Sequence, residues 1–322
     1  MSETLKLTKS VVEQWVVTDQ QAGQRLDNYL VTRLKSVPKS HIYRLLRTGQ
    51  VRVNGRRVKP DYRLQEHDTV RVPPVRRDAP EAPKTPSHGL VAVIADAIIY
   101  DTPALLIINK PSGVAVHGGS GLSFGVIELL RTLYPNAPLL ELVHRLDRDT
   151  SGCLMIARKR SMLRYLHDLL RNEHDIEKTY VALVAGRWPE RKREVSAALR
   201  KNTLRSGERV VRVDDEGRES RTEFRVLEKF AGATLVQATP KTGRTHQIRV
   251  HAAHAGHPII GDEKYGVDTV NAEFRQLGVR RLFLHAASLR FADPTTGHEI
   301  KVEAPMPADL DDSLKSLRGK KA

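Results

Sequence analysis

The sequence predicts an α+β chain in two unequal parts: a small, basic module of two helices and a hairpin, then a larger domain built on a mixed, mostly antiparallel sheet. Three observations carry that expectation. Between residues 24 and 76, apolar side chains at helical spacing give way to Asn54-Gly55 set among valines. Five prolines then fall within residues 73–88, without apolar periodicity. Beyond them, short alternating or wholly apolar runs are separated by turn residues and by a few helical segments.

Residues 1–19 give no clear periodic signal. In QRLDNYLVTRL, Leu26, Leu30 and Leu34 follow a helical repeat. In KSHIYRLLRTG, Ser40 is placed to cap a second helix carrying Ile42, Leu45 and Leu46, which Gly49 ends. Val51 and Val53 alternate up to Asn54-Gly55, a strong hairpin signal, with Val58 beyond and a further strand at DTVRV. Residues 20–76 are read as the first domain, 77–88 as an extended linker, and 89–318 as the second domain.

Charge narrows the partner. Lys and Arg number 53 against 38 Asp and Glu, a net +15 with a pI near 10, which favours a polyanion. Residues 24–76 alone hold 13 Lys/Arg against 4 Asp/Glu. Cations spaced along short helices and a hairpin suit a phosphate backbone, with Arg44, Arg47, Arg52 and Arg56 as candidate contacts. The bland alternative is a solvated basic face. No apolar run approaches the roughly 20 residues that cross a bilayer, and MSETLKLTKS lacks the apolar core of a secretory signal, so a soluble, cytoplasmic protein is expected. The single cysteine, Cys153, excludes an internal disulfide and Cys-rich metal sites. Its apolar neighbours predict a buried structural thiol.

In the second domain, ALLIINKP reads as a buried strand stopped by Pro111. HGGSGLSFGVIELLR reads as a loop entering a helix that buries Val126, Leu129, Leu130 and Leu133. That loop lacks the Gly-Lys-Ser/Thr ending of a nucleotide-binding P-loop. CLMIARK is a strand, SMLRYLHDLLRNE a helix capped at Ser161 with Leu163, Leu166 and Leu170 inward, and KTYVALVAG another strand. Hairpins are expected to turn at Ala231-Gly232 and between Asp293 and Gly297, and the basic ending LKSLRGKKA is expected to be disordered.

Two stretches carry candidate chemistry. In ELVHRLDRDTSG, Asp149 precedes Thr150-Ser151-Gly152, turn chemistry in which a carboxylate accepts backbone N–H bonds. Asp147 lacks that explanation. Its neighbours Arg145 and Arg148 form a cationic setting that favours an ionised carboxylate, which, on the residues alone, a surface ion pair explains better than catalysis does. In PKTGRTHQIRVHAAHAGHPIIGDEKYG, Gly243 allows a turn and Thr245 can cap a helix burying Ile248, Ala252 and Ala255 before Gly256. His246 and Arg249 lie on a different face and can address one site. Histidines 246, 251, 254 and 257 point in different directions and form no HExxH pattern, so a metal site is not expected.

The first module, in QRLDNYL, SHIYRLLRTGQVRVNGRRV and DTVRV, resembles the S4 RNA-binding domain. HRLDRDTSG, KTYVALV, TGRTHQIRVH with GHPIIGDEKYG, and RLFLHAASLRF resemble, in order and spacing, the RluA-type family of pseudouridine synthases. NKPSGVAVHGGSGLSFGVIELLR is closer still to a branch that also carries an S4 domain. The likeness runs from about Gln24 to Pro307, apart from the linker.

That resemblance implies a pseudouridine synthase fold and the isomerisation of uridine to pseudouridine, with no cofactor, metal or ATP. It implies 23S ribosomal RNA of the large subunit as partner; the apolar pattern adds the expectation of no membrane and, since neither domain shows a spare apolar stripe, of action as a monomer. Asp147 falls on the family's catalytic aspartate, Arg249 on the arginine that pairs with it, and Tyr180 on the aromatic that stacks on the target base. Arg145 falls on the arginine that fills the space left by a flipped base. Leu284 would line or support the pocket, and Gly243 and His246 would face RNA or support the site. Attack of Asp147 at C1′, attack at C6, and proton removal after glycal formation all remain open. IIGDEKYG departs from other members after its glycine, which leaves the choice of RNA site in doubt. Two rivals stand beside this reading: a non-enzymatic ribosomal RNA-binding or assembly factor, and a metal-dependent RNA hydrolase using the histidines.

Overall fold

Leu26 and Leu30, one helical turn apart, are fully buried, and so is Ile42. The helical spacing is therefore an inward stripe. A computed structural model describes residues 12–19, 21–34, 37–75, 86–118, 124–172, 175–203 and 209–319. Its contacts divide the chain into two units, Met1–Thr85 and Pro86–Ala322.

The first unit contains β1 (Glu13–Val16), α1 (Leu26–Arg33), α2 (Lys39–Arg47), β2 (Arg52–Val53) and β3 (Thr69–Val72). Both helices close over an antiparallel sheet of order β1-β3-β2. β1 lies in the stretch that gave no periodic signal. Four residues with only partial burial are too few for a pattern; what fixes them is Trp15, edge-on to Tyr29 with the Arg33 guanidinium over both rings.

Asn54 and Gly55 do turn tightly, at φ 50° and 75°, with backbone bonds exchanged between Val53 and Arg56. The arm through Val58 is not a strand, however, and β2 pairs instead with Val70 and Arg71. The Asn54 amide explains this: it donates to Asp68 at 2.7 Å and accepts from the Thr69 N–H at 2.8 Å, tying the turn to β3. Ser40 does not cap α2, whose N-cap is Pro38.

The second unit opens with α3 (His88–Asp96), β4 (Ile98–Asp101), β5 (Leu105–Lys110), α4 (Val126–Leu133), β6 (Glu141–Leu142), β7 (Ser151–Ala157), α5 (Arg160–Arg171) and β8 (Ile176–Ala185). It continues with β9 (Glu194–Ser196), β10 (Leu199–Thr203), β11 (Arg209–Val213), β12 (Arg221–Phe230), β13 (Ala233–Pro240), α6 (Gln247–His254) and α7 (Asp268–Gln276). It ends with β14 (Leu284–Ala292), β15 (Glu299–Glu303) and α8 (Ala308–Arg318). Among the described residues, one sheet runs β4-β5-β7-β14-β8-β13-β12-β9, with β15 added to β14 and β6 to β7. Among the described strand pairs, only the β7–β14 contact is parallel. The ribbon β10–β11 stands apart as its own antiparallel pair.

Central strands without polar alternation are covered on both faces, and period two sorts their side chains. Leu105, Ile107, Cys153 and Met155 pack towards α5, while Leu106, Ile108, Leu154 and Ile156 pack towards α3 and α4. Cys153 is buried and its thiol is pushed up to about 12 by that burial, as suits an inert structural cysteine. Around β8 and β13 the cover comes from α6, α7 and α8. Gly152 is required where β7 meets β14: its φ is +112°, and a Cβ would lie 2.2 Å from the Ala286 carbonyl oxygen.

Several local expectations fail for physical reasons. Ser161 sits inside α5, which starts after Lys159 without a side-chain cap, and Leu170 is only half-buried. The basic ending is helical through Arg318, because Leu310, Leu314 and Leu317 form a stripe that packs on the core. Its last three residues lie outside the described ones.

Two histidines, His144 and His251, are held in neutral form. His144 Nε2 accepts the Met155 N–H at 3.1 Å, and His251 is held by Ser220 and Thr222 at 2.9 Å each. Burial pushes both down to about 4 from an ordinary 6.5. A depressed folded value means that their stabilisation is complete above the unfolded pKa and fades as pH falls from 6.5 towards 4. Urea unfolding at pH 7 and pH 5 is therefore expected to show a loss on the order of 1–2 kcal/mol per histidine, and His251→Asn is expected to flatten that dependence.

Candidate active site

The HRLD segment has no regular structure to hold it, so its geometry comes from anchors on either side. Leu146 is buried in the core beneath it and His144 is tied to β7. The Lys110 ammonium, fully buried, donates to the carbonyls of Pro111, Val114 and Arg148 at 2.8, 2.8 and 2.9 Å. Burial pushes this lysine down to about 7, against the pull of Asp149 and Asp147. The Gly113 N–H also reaches the Arg148 carbonyl, and Ser112 reaches that of Asp149. The peptide around Asp147 is thereby fixed.

Asp147 faces α6. Its Oδ2 accepts from Arg249 Nη1 at 3.1 Å, and its Oδ1 lies 3.6 Å from His246 Nε2. The Asp147 side chain is 18% exposed and that of Arg249 10%. Arg249 is not bidentate to Asp147. Its Nε and Nη2 donate at 2.7 and 2.8 Å to Asp262, whose side chain is fully buried. One fork of the guanidinium is thus locked, and the remaining nitrogen is aimed at Asp147. Burial works against charge on Asp262, but the Arg249 hydrogen bonds and charge, with the N–H groups of Lys264 and Tyr265, outweigh it and hold the carboxyl below the usual range. Burial likewise opposes the charge on Arg249, and Asp262 and Asp147 more than offset it.

The start of α6 differs from the expected cap. Thr245 does not cap it; His246 does so from a left-handed backbone, φ 54°, without a side-chain bond to the helix end. Gln247 supplies the anchoring instead, accepting from Thr242 and the Arg244 N–H and donating to Arg221 and Thr222. His246 and Arg249 do converge on one group, as their spacing implied.

A cavity of about 330 Å³ opens beside Asp147. Tyr180, Arg145, His246, Arg249 and Leu284 all line it, so the candidate residues of the second unit share one space. Arg145 is exposed and Leu284 buried. Tyr180 is raised above the ordinary phenol by burial first and the Asp147 charge second, so it stays a neutral donor. Arg148 pairs with Asp149 at 2.9 Å rather than with Asp147, and so Asp149 is engaged by a side chain where backbone N–H groups had been expected. The histidines do not converge: His251 is spent on Ser220 and Thr222, His257 on the Ala185 carbonyl. Among the described residues no three His, Cys, Asp or Glu side chains group as a metal site, and no helix is long and apolar enough to cross a membrane. Arg44, Arg47, Arg52 and Arg56 are exposed on the first unit.

Residues 104–254 match the family described as RNA pseudouridylate synthase, and residues 24–70 match the S4 domain. Ribosomal large subunit pseudouridine synthase C of Pasteurella multocida is 53% identical over 318 residues, 98% of this chain and 97% of its own. The protein of the same name from Escherichia coli K12 is 55% identical over 305 residues, covering 94% and 95%.

This chain belongs to the RNA pseudouridylate synthase family.

Among solved structures, Human RNA Pseudouridylate Synthase Domain Containing 4 superposes with a TM-score of 0.57 at 26% identity, over 71% of this chain and 96% of that one. The chain is therefore an RNA pseudouridine synthase, an isomerase, with an S4 domain ahead of the synthase domain. Three synthase residues escaped the sequence reading. Lys110, inside a run read only as a strand, is the clamp on the Asp147 peptide. Asp262 and Tyr265, in the GDEKYG segment treated as a departure, hold Arg249 and His246. A charged residue next to a strand-ending proline, and a carboxylate after a turn glycine, were the available signals.

Proposed function

We propose that this synthase converts uridine to pseudouridine in 23S ribosomal RNA, with Asp147 as the catalytic carboxylate. The observation that carries the reading is a little-exposed Asp147 held against Arg249 in a cavity of nucleoside size that also receives Tyr180. The two curated relatives bear names that place their activity on the ribosomal large subunit, and the basic S4 domain fits the same partner.

A stacked or paired uracil cannot reach Asp147, so the nucleotide must flip out, at a few kcal/mol. Arg145, exposed at the rim, is positioned to occupy the vacated stack. Inside, Tyr180 offers its ring to the base and its phenol proton to a uracil oxygen. The N1–C1′ bond then breaks, the base turns, C5 bonds to C1′, and the C5 hydrogen leaves while N1 gains one. Nothing is oxidised or reduced. Asp147, oriented by Arg249, serves each of the three routes: nucleophile at C1′, nucleophile at C6, or proton acceptor on the glycal route. The chain is proposed to work as a monomer without cofactor.

Mapping pseudouridines in 23S RNA from cells with and without the gene tests the substrate. Loss of specific sites, restored by the wild-type gene but not by Asp147→Asn, is the expected result. An unchanged map would favour a non-enzymatic assembly factor. Removing residues 1–82 is expected to weaken RNA binding and to lower the salt slope by about one unit for each phosphate no longer neutralised. Binding at 50 and 200 mM salt measures this, and an unchanged slope would show that Arg44, Arg47, Arg52 and Arg56 do not touch phosphate.

A further inference from the structure

His246 is bound on its far side by a group that the reaction does not call upon. Tyr265 Oη lies 2.7 Å from His246 Nδ1 and 3.0 Å from the backbone nitrogen of Val211 in β11. Its ring meets the His246 ring edge-on, and the Arg249 Cζ sits 5.0 Å from its centroid. One aromatic side chain therefore touches both residues that face Asp147.

We propose that Tyr265 is a positioning residue: through Val211 it fixes the tautomer of His246, so that the ring carries its hydrogen on Nε2 and presents it to Asp147 and the flipped base. This rests on the reading of Asp147 as the catalytic carboxylate.

The hydrogens at this junction decide the tautomer. A peptide N–H can only donate, so Tyr265 Oη accepts from Val211. The phenol has one hydrogen of its own, and the neighbour within reach is Nδ1. Were Nδ1 protonated, Oη would accept twice, leaving the phenol hydrogen without an acceptor among the described residues. The satisfied arrangement has Tyr265 donating to a bare Nδ1, and a neutral imidazole then bears its hydrogen on Nε2. Electrostatics agree. Burial, then the Arg249 and Lys264 charges, work against an imidazolium at His246, and together they exceed the pull of Asp147. Burial also keeps the Tyr265 phenol protonated, as a donor must be.

The backbone supplies independent support. His246 is one of three described non-glycine residues at positive φ, a conformation that costs about 1–2 kcal/mol for most side chains. That left-handed turn is what lets one ring face Tyr265 with Nδ1 and Asp147 with Nε2. Leu199 and Val211 of the ribbon, Val250 of α6 and Tyr265 form one apolar cluster, so the acceptor, the donor and the helix are braced together. At 3.6 Å the Nε2 to Asp147 contact is still open. It leaves a donor aimed at the space between carboxylate and base, oriented before the substrate arrives.

The full-length protein carrying 15N-labelled histidine gives the direct reading, with His246 assigned by the signal that disappears in His246→Asn. At neutral pH the wild-type spectrum is expected to show Nδ1 bare and Nε2 protonated. Tyr265→Phe keeps the ring and removes the hydroxyl; it is expected to give a mixture of tautomers and a kcat about tenfold lower, with KM changed less than about twofold. A proton on Nδ1 in the wild type, or an imidazolium, overturns the proposal even if the variant fails to fold. So does a Tyr265→Phe protein with unchanged tautomer and kcat. The spectrum needs no turnover: a wild type with the expected tautomer but no pseudouridine would sink the reading of Asp147, and with it the positioning role, and leave only the tautomer assignment standing.

Discussion

Asp147→Asn is expected to bind RNA close to wild-type affinity and to form pseudouridine at least about 10³-fold more slowly. The substitution preserves size and the hydrogen bond from Arg249 Nη1. What it removes is the negative charge that all three routes need, as nucleophile or as proton acceptor. Binding is expected to survive because the exposed cations, not this carboxylate, are the groups proposed to meet the phosphates. Single-turnover formation of pseudouridine, with a binding titration on the same RNA, separates the two effects. Turnover near wild type would exclude Asp147 from the bond-making step and return it to the role of an ion-pair partner.

Asp262→Ala is expected to be the most destabilising single change at the site, by about 3–5 kcal/mol, because it strands the Arg249 guanidinium in the interior. It also deprives the Lys264 and Tyr265 N–H groups of their acceptor. Freed of its fork, Arg249 no longer presents Nη1 at a set angle, and kcat/KM is expected to fall by about a hundredfold. The pH sign follows from the depressed carboxyl. Stability contributed by Asp262 is present above its ordinary value of 3.8 and is lost as pH falls through the lower folded value. The gap between wild type and variant should therefore be full at pH 7 and close towards the acid limb. Denaturant unfolding across that range checks it, and equal stability at pH 7 would mean that Arg249 finds solvent or another anion.

The architecture was legible wherever burial imposes a period. Ile107 against Ile108 and Met155 against Leu154 sort to opposite sheet faces, as unbroken apolar runs do in covered strands. Signals resting on a single polar residue were less secure. Ser40, Ser161 and Thr245 had the chemistry of caps, yet Pro38, Lys159 and His246 occupy those positions. The helix over LKSLR was missed because its basic residues hid Leu310, Leu314 and Leu317. At the site, Asp147, Tyr180 and Arg249 were found through ordered motifs, and they share one cavity. Asp262, Lys110 and Tyr265 were missed because their work is done on other residues across long sequence separations. Lys110 reaches a carbonyl 38 residues away and Tyr265 a peptide nitrogen 54 away. A local window shows a charge or a ring, but not what it will hold.

The most direct test of the central claim is the release of tritium from RNA labelled at uridine C5. Wild-type protein is predicted to release label as pseudouridine forms, leaving the RNA at full length, and Asp147→Asn is predicted to bind the same RNA and retain the label. A wild-type protein that binds ribosomal RNA yet leaves every C5 tritium in place would contradict the account.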